Sequence, residues 1–255
     1  MNWACCVPSP GVPLELKWLF EHALVPLLRN RYHLAETITY RVLKVVGLGE
    51  SAIDDQIGEP IAASSNPNVG VLAHPGQVDV RVAAKEASAA DAAALIEPVE
   101  REVRRILGEH VFGADEDTLE AAVGPLLRAR TLTVASHEDV TGGMLAQTLS
   151  TAAEGDFLQG IVTSLGAEEA SDGGVAARRA ADLAARCGAG ATVAVHGVPL
   201  PGGGGENLRP GQTVVAVVVG DRVEERRFGW AGTGTADRTR TTRYALALLR
   251  EALLR

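Results

Sequence analysis

Between Thr118 and Leu254, short runs of β-branched and small apolar residues alternate with segments of helical period, and this alternation narrows the fold more than any other feature. Thr118–Arg128 has helical spacing, and Thr131–Ala135 reads as a strand. Thr141-Gly-Gly143 opens a helix from Met144 to about Leu149, followed by a strand at Ile161–Thr163 and a helix over Val175–Arg186. Strands at Thr192–Val195, Thr213–Val219 and Arg222–Phe228 follow, the first two separated by the glycine run Gly202–Gly205, and a helix over Arg238–Leu254 closes the chain. Alternating strands and helices bury both faces of a sheet, so residues 116–255 are expected to form an α/β layer structure.

Residues 36–114 predict a smaller α+β unit. Thr37–Val46 is β-rich, and the turn Gly47-Leu-Gly-Glu-Ser51 leads into a helix with Ile53 and Ile57 on one face. Strands Asn68–Ala73 and Gln77–Ala84 meet at His74-Pro-Gly76, a strong turn signal. Ser88 is placed to cap a helix that runs to Leu107, and Val111–Phe112 is a last short strand. The order β-α-β-β-α-β implies a small sheet with two helices on one face. Ahead of it, residues 1–34 hold a proline-rich stretch and an amphipathic run with Leu16, Leu19, Phe20, Leu24 and Leu27 at helical spacing. A segment that short cannot form its own core and is expected to pack on something else.

Aromatic residues make up 4% of the chain and hydrophobic residues 46%, so the interior must be built from Ala, Val, Leu and Gly. The net charge of −8 disfavours nucleic acid and anionic membrane as partners. Cys5, Cys6 and Cys187 lack CxxC spacing and read as reduced structural thiols, and Pro8, Pro10 and Pro13 interrupt any signal-peptide pattern. No apolar run is long enough to span a bilayer, so a cytoplasmic protein is expected.

Three stretches together resemble the CinA family of competence/damage-inducible proteins. Pro10-Gly-Val-Pro13 with Glu15 is similar to the segment that closes that family's molybdopterin-binding-like domain. Gly47-Leu-Gly-Glu-Ser51 resembles the turn of its KH-like middle domain. Leu132-Thr-Val-Ala135, Thr141-Gly-Gly143 and Val195 through Pro201-Gly-Gly-Gly204 resemble its C-terminal nicotinamide-nucleotide deamidase domain. The resemblance implies three segments: a remnant of the first domain over 1–34, a KH-like domain over 36–114 and a deamidase-like domain over 116–255. It also implies that most of the first domain is missing, so the nucleotide-pyrophosphatase activity of some members is not expected. A homo-oligomer and a nicotinamide nucleotide ligand are implied, and no cofactor or metal.

The family's deamidase uses a Ser nucleophile in a segment like AESCTGG, with a Lys base and a Tyr in a segment like YSNEAK. That chemistry needs a hydroxyl, an unprotonated amine and amide donors for the oxyanion. At the matching positions this chain has Asp139 for Ser, Ser164 for Tyr and Glu169 for Lys, and the chain after Glu169 is shortened. No lysine follows Lys85, so a Ser/Lys pair cannot be rebuilt in this half. The expectation is a deamidase frame without catalysis, a binder or scaffold. The alternatives are an amidohydrolase with a displaced nucleophile (Ser136, Thr141 or Ser164) and a competence or DNA-damage accessory protein.

The backbone of Thr141, Gly142 and Gly143 at a helix start, and of Gly202, Gly203 and Gly204, suits an anionic substrate group. The glycine run reads equally as a hairpin connection. His137, Glu138 and Asp139 alternate in direction and converge poorly on a metal, which leaves a solvated strand end as the simpler reading. His196, where the family has Thr, reads as a hydrogen-bonded loop residue or a new base, and Arg238 as a surface residue. The mixed charge around Gly47–Ser51 and the lack of an aromatic platform disfavour RNA.

Overall fold

In the computed structural model, residues 12–33, 36–62, 64–164, 174–199, 211–229, 232 and 234–255 are described. Pro13 opens the first helix, α1 (Pro13–Leu19), where its missing N–H has no intrahelical partner to lose. A second proline, Pro26, sits in the first turn of α2 (Val25–Tyr32), and the turn before it, Phe20–Leu24, widens to π-helical form. A proline ring inside a helix removes one i→i−4 bond and crowds the carbonyl four residues back, which accounts for the widened turn. No residue from Pro13 to Tyr32 is buried. Leu16, Phe20 and Leu27 lie in the open, so the expected apolar stripe is present and nothing among the described residues buries it.

The first sheet is built from β1 (Thr37–Val45), β2 (Asn68–His74), β3 (Gln77–Glu86) and β4 (Val111–Ala114), in the order β2-β3-β1-β4. Alternate residues Leu43 and Val45 of β1 and Val78 and Val80 of β3 point to one face. There they meet Ile53 and Ile57 of α3 (Glu50–Ala62) and Val103 and Leu107 of α4 (Ala89–Leu107). Ser88 caps α4, its hydroxyl accepting from the Asp91 amide at 3.1 Å. This is the α+β arrangement its element order implies.

The second sheet runs β6-β5-β7-β8-β9. Its strands are β5 (Val134–Glu138), β6 (Phe157–Val162), β7 (Ala191–Pro199), β8 (Gly211–Val219) and β9 (Arg222–Phe228). The first three are mutually parallel and the last two antiparallel. Helices α5 (Leu119–Ala129), α6 (Met144–Ala152) and α8 (Thr235–Leu254) cover one face through a core of Val, Leu and Ala. On the other face α7 (Val175–Cys187) lays Ala176 and Ala180 against Ala194, Val198, Val214, Ala216 and Val218. Small side chains on both sides let this helix approach closely, which is how a chain poor in aromatics still fills its interior.

β5 begins three residues later than Thr131–Ala135 suggests. Thr131 still donates its amide to the Arg128 carbonyl, Leu132 to that of Leu127, and Thr131 has φ +54°, so these residues end α5 instead of starting the strand. β6 is longer than expected and starts at Phe157, opposite Val134. The chain leaves β5 through α6 to reach β6 on one side, then returns through α7 to β7 on the other. Open α/β sheets bind ligands at such a reversal, at the C-terminal end of the central strand, which here is Glu138 and Asp139. Among the described residues no helix is long and apolar enough to cross a membrane.

Candidate functional site

Glu138 and Asp139 follow one another at the end of β5 and turn to opposite faces of the sheet, as consecutive residues of an extended chain must. Both are buried, so the simpler sequence reading of a solvated strand end does not hold. A buried carboxylate has to be satisfied by donors, and each finds a different set.

Glu138 turns toward α6. Its Oε2 accepts from the Gly143 amide at 3.0 Å and the Leu145 amide at 3.1 Å, its Oε1 from the Ala146 amide at 2.7 Å, and Oε2 also takes the Thr141 hydroxyl. The first turn of a helix leaves its amides without partners and carries partial positive charge, so a carboxylate is held there by hydrogen bonds and by the helix dipole together. Gly142 and Gly143 adopt φ of +61° and +96°, which turns the Gly143 amide toward Glu138. Of the backbone donors that Thr141, Gly142 and Gly143 offer a substrate anion in the sequence reading, the Gly143 amide is engaged by Glu138, which also takes the Thr141 hydroxyl.

Asp139 turns toward α7. Its Oδ2 accepts from Arg179 Nη1 at 2.9 Å and from His196 Nδ1 at 2.8 Å, and its Oδ1 from the Gly197 amide at 3.0 Å. Its side chain is fully shielded from solvent. Burial opposes ionisation, but the hydrogen bonds from His196, Arg179 and the Gly197 amide outweigh it and hold this carboxyl below the usual aspartate range. An ionised Oδ2 must receive a proton from His196, so Nδ1 carries the hydrogen. Arg179 Nη1, 3.3 Å from the same Nδ1, is then a close neighbour and not a donor to it. His196 is buried within β7 instead of lying in a loop.

The remaining candidates are dispersed. Ser136 Oγ is buried on the α6 side of β5, with no hydrogen-bond partner among the described residues. Ser164 is exposed just past β6. Glu169 and Gly202, Gly203 and Gly204 lie outside the described residues. Arg238, in the first turn of α8, lies across Gly142: a Cβ built there would be 2.8 Å from its Nη1, and its Nε is buried with no acceptor among the described residues. Among those residues no group of three His, Cys, Asp or Glu side chains is arranged to hold a metal.

The roles of two residues escaped the sequence reading. Glu138 was legible as an acid a few residues before a helix start, the position a helix dipole favours. Arg179 had no such signal, because 40 residues separate it from Asp139 and only the return of the chain through α7 brings them together.

The fold defines an open α/β domain with a strand-order switch at the end of β5, joined to a small sheet-and-two-helix unit. The profile of the "Damage-inducible protein CinA KH domain" matches residues 40–113. A "Putative competence-damage inducible protein" of Moorella thermoacetica is 33% identical over 96% of this chain and 63% of its own length. A "CinA-like protein" of Synechococcus sp. is 36% identical over 86% of this chain and 57% of its own. A crystal structure of the competence damage-inducible protein A of Klebsiella pneumoniae aligns with 53% of this chain and 95% of its own at 29% identity and a TM-score of 0.45. The chain belongs to the CinA family of competence/damage-inducible proteins. It spans about three fifths of the length of these two relatives.

Proposed function

We propose that the C-terminal half is a nicotinamide-nucleotide deamidase-type domain that has lost catalysis and acts as a binder or scaffold. The observation that carries this reading is the bonding of Asp139. The residue matching the nucleophile is a shielded carboxylate whose two oxygens accept from Arg179, His196 and the Gly197 amide, so it is an anchor between β5, β7 and α7. Its neighbours offer no replacement. The Thr141 hydroxyl is committed to Glu138, Ser136 is wholly buried, and Ser164 is exposed with no lysine in this half of the chain to activate it. Arg238, beside Gly142, supports a retained site for the phosphate of a nicotinamide nucleotide, since its Nε lacks an acceptor among the described residues.

The purified chain is expected to release no ammonia from nicotinamide mononucleotide above background, while titration calorimetry detects binding that weakens in Arg238→Ala. Turnover at even about 1 per second, the low end for ordinary enzymes, would sink the noncatalytic reading. Absence of binding would remove the ligand and leave only a scaffold.

A further inference from the structure

We infer that a small oxyanion of phosphate size binds on Arg250, in the seam between the small sheet's unit and the large one, and ties the two together. The seam holds a cavity of about 80 Å³. Gly47, Glu109 and His110 of the small unit line one side of it, and Arg226, Arg250 and Glu251 of the large unit the other. A space of this size takes a few waters or one such ion, and not a nucleotide. The wall on the small unit is fixed. The Val46 amide donates to the His110 carbonyl at 3.0 Å, and His110 Nδ1 donates back to the Val46 carbonyl at 3.0 Å, since a carbonyl only accepts. A Cβ on Gly47 would stand 3.2 Å from that Nδ1, so the turn lies directly on the ring. Nε2 is the His110 nitrogen left to meet a ligand.

The charges around the cavity decide what enters it. Glu251 is matched twice, by Arg226 at 2.5 Å and by Arg255 at 2.6 Å, and Arg255 also holds Glu224 at 2.8 Å. Arg250 has no such match. Its Nη1 donates to the Glu109 carbonyl at 2.6 Å, and among the described residues it forms no ion pair and no other hydrogen bond. Burial pushes this guanidinium below the usual arginine value, and the charge of Glu109 only partly offsets it. Arg41 and Arg105, which sit against carboxylates, are raised instead. A half-buried guanidinium with donors to spare suits the two oxygens of an oxyanion, which it can take in a planar fork. Such an ion, held by Arg250 of α8 and by His110, spans the seam, so its concentration sets how firmly the two units dock. The inference depends neither on the catalytic reading nor on the phosphate contact assigned to Arg238.

The test uses the full chain and inorganic phosphate, titrated against chloride of matched ionic strength. Phosphate should raise the melting temperature along a saturable curve, unlike the steady rise that salts excluded from protein surfaces produce. Arg250→Gln, which can still donate to the Glu109 carbonyl, should weaken the phosphate midpoint about ten- to a hundredfold, the range for hydrogen bonds to a charged group. Glu109→Gln, at an exposed position, should tighten it by up to about fivefold, because it removes the carboxylate that competes for Arg250. Arg238→Ala should leave the midpoint where it is. No saturable curve in the wild-type chain, or one that neither Arg250→Gln nor Glu109→Gln moves, overturns the proposal. So does a curve lost in Arg238→Ala and unchanged in Arg250→Gln, which would place the ion beside Gly142. Circular dichroism checks that Arg250→Gln folds, and if it does not, the direction of the Glu109→Gln shift decides.

Discussion

Asp139 ties together three elements that share no local sequence, and its substitution should be felt in stability before anything else. Arg179 is only 14% exposed, so removing the Asp139 carboxylate takes an anionic partner from a shielded cation. Breaking a buried pair from one side costs about 3–5 kcal/mol, and slight exposure places this case at the lower end. Asp139→Ser is expected to lower unfolding free energy by about 3 kcal/mol. Adding Arg179→Met should recover part of that loss, both read from urea midpoints at constant m. The pH dependence has a definite sign. The folded carboxyl titrates below its unfolded value near 4, so its contribution is complete above that pH and is lost as pH falls through the folded value. The stability gap between the wild-type chain and Asp139→Asn should be flat from pH 7 to about 5 and shrink below about 4. A gap that widens on acidification would show that the carboxyl is not held ionised. An acid at position 139 was legible in sequence, whereas its bonding was not, because Arg179 and His196 reach it only through the sheet.

At the scale of elements, what the sequence shows best is period. α4 and α7 carry their apolar stripes openly, and Ser88 and the Pro-Gly hairpin mark element boundaries with the residue types that cap and turn. The start of β5 was misplaced because Thr131–Thr133 has β-forming composition, while the hydrogen bonds of Thr131 and Leu132 belong to the end of α5. Local propensity gave way there to helix termination. The α6 start shows a further limit. Its first residue before the helix, Gly143, offers no side-chain cap, and the missing acceptor comes from Glu138 five residues back. Glu138→Gln keeps the shape but turns one oxygen into a donor facing amide N–H groups. We expect it to cost about 2 kcal/mol, and Glu138→Ala somewhat more, from lost charged hydrogen bonds. Hydrogen exchange should show the loss concentrated in Met144–Ala152, with α5 protected as before. Uniform loss across both helices would mean that Glu138 supports the whole core and not this helix start.

The whole molecule is coupled through α8, which belongs to the large sheet but reaches the small one in two places. Arg243 donates to the Pro75 carbonyl at 2.9 Å at the tip of the β2–β3 hairpin, and Arg250 to the Glu109 carbonyl at 2.6 Å beyond α4. The helix of residues 13–32 contributes no buried residue, so deleting residues 1–33 should leave the melting temperature within about 2 °C of the intact chain. The hairpin tip is different. Gly76 has φ +75°, and a Cβ there would stand 2.8 Å from the Arg240 carbonyl oxygen and 3.0 Å from Cβ of Arg243. The backbone of α8 cannot yield by that amount while its next turns stay packed in the core through Ala245, Leu246 and Leu249. Gly76→Ala must therefore strain the turn or lift the hairpin off the helix, at a cost of about 2 kcal/mol. Lifting it removes the Arg243 bond as well and weakens the coupling of the two sheets, which Arg250 and the packing of Val46 and Phe112 on the large core still provide. The expected outcome is a urea transition that is single in the wild-type chain and splits in Gly76→Ala, the small sheet melting first. Arg243→Ala, which loses one hydrogen bond without strain, should shift the transition by about 1 kcal/mol and keep it single. If both variants melt in one step at the wild-type midpoint, the contact between hairpin and helix carries no coupling.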